Sequence, residues 1–261
     1  MNHITFNNGK LFYSKTGAGD KVILLFHGFG QDHRAFERWH ETLHSAYTMF
    51  TFDLFFHGDS TWENQLPIQK ENWKGIFLKF IEEERIGDFE IAGFSIGAKF
   101  VLTTLELFPD RVKKVILIAP DGIHSNLWYN LATGSSMMRM FFRSMILKPK
   151  RLSAIIRIVK FFHAEDRATI RFVEYQTNSE EKRNRVYRSW VYFRRLIFNL
   201  NKLSSLINSK RIPLIFILGK SDGIIPQRKI ESFANTINDH QVHLLDAGHN
   251  ELISRAASLI L

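Results

Sequence analysis

The sequence predicts an open, doubly wound α/β sheet, mostly parallel, into which a helical cap has been inserted. Three observations carry this expectation. Short apolar runs recur at residues 21–26, 48–53, 89–93, 115–119, 213–218 and 241–245, the pattern of strands buried on both faces of a parallel sheet. Segments of helical spacing lie between the first four runs and between the last two, as in an alternating α/β chain. From residue 121 to residue 205 no strand-like run interrupts a series of helix-like stretches.

The elements follow in order. The opening MNHITFNNGKLFYSKTG reads as a hairpin turning at Asn8-Gly9, because Asn-Gly supplies the left-handed backbone a two-residue turn needs. It has neither a basic stretch leading into an apolar one nor a small-residue cleavage site, so the expectation is a mature, soluble and cytoplasmic chain. Phe36, Trp39, Leu43 and Ala46 share one face of the first helix, and Trp73, Ile76, Phe77 and Phe80 one face of the second. Residues 98–107 make a third. Within 121–205, helices are expected over 137–147, 152–162, 168–175 and 186–200, with breaks at Lys148-Pro149 and Asn178-Ser179-Glu180. The expected organisation is therefore a core of residues 1–120 and 206–261 and a cap of residues 121–205.

Composition narrows the chemistry. At 261 residues the chain can bury a core without staples. With no cysteine, thiolate metal sites and cysteine nucleophiles are excluded. Hydrophobic residues at 45% and charged ones at 23% exclude disorder. The net charge of +9 is confined to the cap: residues 121–205 hold 16 Lys and Arg against 6 Asp and Glu, and the rest holds 19 against 20.

One pentapeptide concentrates the chemistry. Gly93-Phe94-Ser95-Ile96-Gly97 follows one apolar run and opens a helix, so its glycines let the backbone turn sharply and lift the Ser95 hydroxyl off the sheet edge. A serine hydroxyl needs a base, and the base needs an orienting carboxylate. His249, in Asp246-Ala247-Gly248-His249, follows the last run, and Asp222, in Gly219-Lys220-Ser221-Asp222-Gly223-Ile224-Ile225-Pro226, follows the one before it. A rival acid, Asp121 of Pro120-Asp121-Gly122, follows the run at 115–119. Upstream, His27-Gly28-Phe29-Gly30 offers the amide of Phe29, which with that of Ile96 would hold an oxyanion.

Four motifs in this order, at His27 to Gly30, Gly93 to Gly97, Gly219 to Pro226 and Gly248-His249, resemble those of the α/β-hydrolase superfamily, specifically its capped, esterase-like members. A fifth is partial: where relatives read D-x-x-G-x-G-x-S, this chain has Asp53-Leu54-Phe55-Phe56-His57-Gly58-Asp59-Ser60, with Phe56 replacing the first glycine. The resemblance implies that Ser95 attacks a carbonyl, His249 relays the proton, Asp222 holds the imidazole, and the amides of Phe29 and Ile96 stabilise the oxyanion. The implied activity is hydrolysis of a carboxylic ester or thioester through an acyl-enzyme, with no cofactor and no metal. Acyl transfer or carbon-carbon bond hydrolysis would use the same triad, and a non-enzymatic ligand receptor would use the same fold.

Other features carry weaker readings. His40-Glu41-Thr42-Leu43-His44 matches a zinc-binding helix motif, but it falls where the sheet fold places an ordinary helix, and both imidazoles are expected near the surface. His57 reads as a turn residue, and His124 and His163 as cap residues. The basic cap fits three uses: solvation of its own helices, attraction of an anionic or carrier-bound acyl substrate, and contact with an anionic membrane surface. No recognition motif for nucleic acid accompanies the charge.

Overall fold

The computed structural model describes residues 2–124, 127–162 and 167–260. It divides into two compact units, residues 1–124 with 196–261, and residues 125–195.

The first unit is built on one sheet. Its strands are β1 (Asn2–Phe6), β2 (Gly9–Thr16), β3 (Lys21–Phe26), β4 (Tyr47–Phe52), β5 (Thr61–Trp62), β6 (Phe89–Phe94), β7 (Val112–Ile118), β8 (Leu214–Gly219) and β9 (His240–Leu245). They lie in the order β1-β2-β4-β3-β6-β7-β8-β9, with β5 against β2. From β4 through β9 every neighbouring pair is parallel, while β1, β2 and β5 add an antiparallel edge. The inner parallel strands β3, β4, β6, β7 and β8 each end in four consecutive buried residues, which is why they read as unbroken apolar runs.

The chain leaves β3 for β4 on one side and later leaves β6 for β7 on the other, so direction reverses between the adjacent strands β3 and β6. Such a reversal opens a crevice beyond the carboxyl ends of the two strands. It also explains how residues 27–30 and 95–96 come to neighbouring strand ends.

The amino-terminal hairpin turns one residue earlier than the sequence suggests. Asn7 and Asn8 hold the positive φ values, +44° and +59°, and Phe6 pairs with Gly9 as the first rung. Gly9 serves packing instead, since a Cβ there would lie 2.7 Å from the Trp62 ring. Asparagine tolerates the left-handed turn, so the glycine is released for that contact.

Helices flank the sheet: α1 (Glu37–Leu43), α2 (Lys70–Glu83) and α3 (Gly97–Leu107). Helix α1 is shorter than its apolar stripe, because Phe36 belongs to a preceding 3-10 turn and Ala46 to the turn that follows. Helix α2 buries Trp73, Ile76, Phe77, Phe80 and Ile81, and Trp73 donates its indole N–H to Thr104 Oγ1 at 2.8 Å. Phe26 stacks on Phe52 with centroids 4.8 Å apart, and Phe80 meets Phe52 edge-on at 4.9 Å, so much of the phenylalanine is spent on this interface.

The second unit contains α4 (Leu127–Thr133), α5 (Ser136–Ile146), α6 (Pro149–Phe162), α7 (Arg167–Thr177) and α8 (Glu180–Tyr192), and no strand among its described residues. Ser135 and Ser179 cap α5 and α8 by accepting from the amides of Met138 and Lys182. The expected helix over 186–200 is broken: α8 stops at Tyr192, residues 193–199 are not helical, and Asn199 caps α9 (Leu200–Lys210) by accepting from Lys202 N. Helix α9 lies in the first unit, as do α10 (Arg228–Ala234) and α11 (Leu252–Ala256). Among the described residues no helix is long and apolar enough to cross a membrane.

Buried polar groups fasten the loops at the strand ends. His27 donates from Nδ1 to the Gly28 carbonyl at 2.7 Å and accepts at Nε2 from the Leu54 amide at 2.9 Å, so a neutral imidazole ties the loop after β3 to the loop after β4. Asp53 Oδ1 accepts from His33 N at 2.7 Å and from His33 Nδ1 at 2.8 Å, and Oδ2 accepts from Asp59 N at 3.0 Å. Ser60 donates to the Asp53 carbonyl at 2.7 Å and accepts from Phe12 N at 2.8 Å. Phe56 takes the left-handed conformation, φ +69°, in the position where the resemblance places a glycine.

Two predictions follow from this packing. Trp73→Ala is expected to lower the unfolding free energy by about 3–5 kcal/mol in urea titration, chiefly through the cavity left behind, since the Thr104 hydroxyl keeps its own bond to the Phe100 carbonyl. The second concerns acid. Burial lowers the pKa of His27 from 6.5 to about 4, so the unfolded chain binds more protons between those values and stability drops as pH falls through that window, by about 3 kcal/mol. Burial lowers His40 and acts in the same direction. Asp32, lowered to about 2 chiefly by its hydrogen bond from Arg34, loses its contribution only as pH falls from 3.8 through 2. His27→Asn is expected to flatten the decline between pH 6.5 and 4, and equal slopes for the two proteins would refute the assignment.

Candidate active site

The turn after β6 carries Ser95 at φ +51°, a conformation that costs a residue with a side chain about 1–2 kcal/mol. Neighbouring strands hold it there. Ser95 N donates to the Ile118 carbonyl at 2.9 Å, and the Ser95 carbonyl accepts from Asp121 N and Ala98 N, both at 3.0 Å. The flanking glycines are required by contact: a Cβ on Gly93 would stand 2.6 Å from Val101 Cγ2, and one on Gly97 2.2 Å from the Phe26 carbonyl oxygen.

Three side chains from separate strand ends meet here. His249 Nε2 lies 3.1 Å from Ser95 Oγ, and His249 Nδ1 lies 2.7 Å from Asp222 Oδ2. The other carboxylate oxygen, Asp222 Oδ1, accepts from Ile224 N at 2.8 Å and Ile225 N at 2.9 Å. A carboxylate held by two amides is a fixed acceptor, so it draws the imidazole proton to Nδ1 and leaves the Nε2 lone pair towards the serine. The Phe94 ring packs 4.8 Å from the imidazole. A Cβ on Gly219 would lie 2.5 Å from the Ala247 carbonyl oxygen, so the loops bearing Asp222 and His249 touch through a glycine.

Asp121, whose amide holds the Ser95 carbonyl, has its carboxylate against another group. Its Oδ2 is 3.8 Å from the Nζ of Lys99, whose side chain is buried on α3, and Asp222 is the acid that the structure brings to His249.

The loop after β3 is shaped by its own contacts. Gly28 N donates to Gln31 Oε1 at 2.9 Å, Gly28 packs where a Cβ would meet the Phe94 ring at 2.6 Å, and Gly30 has φ +76°. Neither the amide of Phe29 nor that of Ile96 donates to an acceptor among the described residues, so both are available to an anion placed beside Ser95.

The remaining candidates resolve into supporting positions. His57 is buried, donates from Nδ1 to the Phe55 carbonyl at 3.0 Å, and meets the Phe29 ring edge-on at 5.3 Å. His40 hydrogen-bonds Thr16 Oγ1 through Nδ1, and exposed His44 reaches the Glu41 carbonyl at 3.2 Å. His124 lies in the first unit, with its pKa lowered by burial and then by Lys229. His163 lies outside the described residues. Among the described residues, Asp32, His33 and Asp53 are the one group whose ligand atoms lie within 4.8 Å of one another. Those atoms are engaged by His33 itself, Asp59 N and the bidentate Arg34 guanidinium, which makes the group a loop scaffold.

Sequence reading missed Gln31, Asp53 and the amides of Ile224 and Ile225 as supports. Asp53 was the most accessible of these, since it ends an apolar run and opens a turn closed by Gly58 and Ser60.

Comparisons with known proteins agree with this architecture. The chain is 25% identical over 122 residues to a Mycoplasma genitalium protein named as an esterase/lipase, a match covering 45% of this chain and 46% of that one. A second esterase/lipase-named protein of the same organism is 23% identical over 202 residues, covering 76% and 72% of the two chains. The chain thus spans about half the length of the first relative. Among solved structures, a thermophilic esterase from Thermogutta terrifontis superposes with a TM-score of 0.73 at 18% identity, covering 99% of this chain and 96% of the other. The sequence model for the α/β hydrolase fold matches residues 21–256, and the chain belongs to that family.

Proposed function

We propose that this chain is a serine hydrolase that cleaves a carboxylic ester or thioester through an acyl-enzyme. The observation that carries the reading is the unbroken line from Ser95 Oγ to His249 at 3.1 Å and from His249 to Asp222 at 2.7 Å. His249 Nε2 takes the hydroxyl proton as Ser95 Oγ forms a bond to the substrate carbonyl carbon. The carbonyl electron pair moves onto oxygen, which accepts hydrogen bonds from the amides of Phe29 and Ile96. Collapse of the intermediate expels the alcohol or thiol, which leaves with the proton held by His249. Water then repeats the sequence on the acyl-enzyme and releases the acid. Asp222, held by two amides, keeps the imidazole oriented and stabilises its cationic form.

The basic composition of residues 125–195, 15 Lys and Arg against 5 Asp and Glu, supports a preference for anionic or carrier-bound acyl groups, which such a field concentrates from solution. On this reading an ester with a terminal carboxylate has a lower KM than its neutral isostere, and the advantage shrinks as salt is raised. Equal KM values at low salt would remove the preference and leave the triad untouched.

Ser95→Ala is expected to lower kcat for p-nitrophenyl esters by about a millionfold, and Asp222→Asn by about ten-thousandfold. Asp121→Asn is expected to keep the rate within about threefold, because that carboxylate faces Lys99. A Ser95→Ala protein turning over at the wild-type rate would overturn the proposal. Product analysis with an acceptor alcohol present separates hydrolysis from acyl transfer, since a hydrolase still releases the acid.

A further inference from the structure

Helix α5 is apolar on two faces. Its inner face packs within the second unit, where Phe142 stacks on Trp190 at 5.3 Å and meets Tyr187 at 5.9 Å, and Ile146 is buried. On its outer face Met137, Met140 and Phe141 are 65%, 68% and 59% exposed. Their spacing places them on one stripe, which Ser144 continues. Single exposed apolar residues are ordinary, but three adjacent on one stripe mark a contact surface.

The chain segment that carries that stripe is basic throughout. Residues 123–164 contain seven Lys and Arg and no Asp or Glu. Arg143, Lys148, Lys150 and Arg151 are exposed. Arg151 donates to Ser144, which joins the cationic start of α6 to the end of the apolar stripe.

We infer that this face docks the chain onto an anionic lipid bilayer. Met137, Met140 and Phe141 enter the boundary between headgroups and acyl chains, and Arg143, Lys148, Lys150 and Arg151 meet lipid phosphates. A bilayer presents an apolar phase directly beneath a layer of negative charge, which is the arrangement this face complements. Nucleic acid supplies the phosphates without an apolar phase for three large side chains. The inference is independent of the chemistry at Ser95.

The test is co-sedimentation of the full chain with phosphatidylcholine vesicles prepared with and without phosphatidylglycerol. Binding is expected to the anionic vesicles, to fall with salt, and to be absent from pure phosphatidylcholine. Replacing Lys148, Lys150 and Arg151 together by Gln should weaken partitioning about a hundredfold, at about fivefold per charge. The combined Met137→Ser, Met140→Ser and Phe141→Ser variant should weaken it at least about tenfold. Both variants should keep the wild-type thermal melt and rate on a water-soluble ester, which separates lost docking from lost folding. In Phe141→Trp, the added emission should be quenched by brominated lipid. No binding to anionic vesicles, equal binding to both vesicle types, or binding that survives loss of the three apolar side chains would overturn the inference, the last in favour of a purely ionic contact with an acidic protein or nucleic acid. Ser95→Ala should bind vesicles as the wild type does, so failure here and failure of the hydrolase reading are separate results.

Discussion

The amino end of α3 rests on the carboxyl end of β3 so closely that a single methyl group would separate them. Gly97 faces the carbonyls of Phe26 and His27, with a hypothetical Cβ at 2.2 and 2.6 Å, and no other residue type permits that approach. The parallel pairing of β3 with β6, which sets Phe26 opposite Gly93, brings the two segments to the same height. From this contact the rest follows: the left-handed turn at Ser95, the adjacency of the loops bearing Phe29 and Ile96, and the need for the loops after β8 and β9 to reach inward. The strain at Ser95 persists because hydrogen bonds from β7 and the segment after it restrain both sides of its peptide.

The two units divide their labour by charge as well as by secondary structure. The sheet unit holds nearly balanced charges and uses its ionisable groups internally, as in the Asp53 scaffold, the His27 tie and the Lys99 to Asp121 pair. The helical unit holds the whole positive surplus, much of it at exposed positions. Its aromatic residues pack within the unit, as in Tyr129 and Phe142 against Trp190.

Much of this was legible in the sequence for a definable reason. The inner strands end in stretches buried on both faces, so those stretches are almost wholly apolar and the runs continuous, whereas β9 mixes exposed and half-buried positions with none buried and reads less clearly. Ser95 and Asp222 stand out because each follows such a run, and His249 because a glycine precedes it just past the less regular β9. The sequence favours Asp222 and keeps Asp121 as a rival, since both follow strands; in the structure Asp222 is the acid that lies against the imidazole. The hairpin turns at Asn7-Asn8 and not at Asn8-Gly9, because Trp62, more than fifty residues away, requires the glycine for itself, although Asn-Gly is locally the better turn. The break between α8 and α9 was hidden by apolar residues at 193, 196, 197 and 198 that keep helical spacing across a non-helical stretch. Gln31 and the amides of Ile224 and Ile225 carry no side-chain pattern at all, since their roles depend on backbone direction.

The helical unit interrupts the sheet unit between β7 and β8, strands that pair directly with Ile118 opposite Ile217. Closing the sheet across that insertion is a long-range event whose entropic cost is met before its contacts form, and such closures slow folding. Ribosomal synthesis delivers β3 to β7 first, then the helices, and only afterwards the strands that bring Asp222 and His249. Until then the β7 edge, with Val115 to Ile118 apolar and unmatched, is a site where nascent chains can pair wrongly. The same insertion that carries the positive charge therefore sets the order of assembly, and the serine waits on its partners until the last quarter of the chain has emerged.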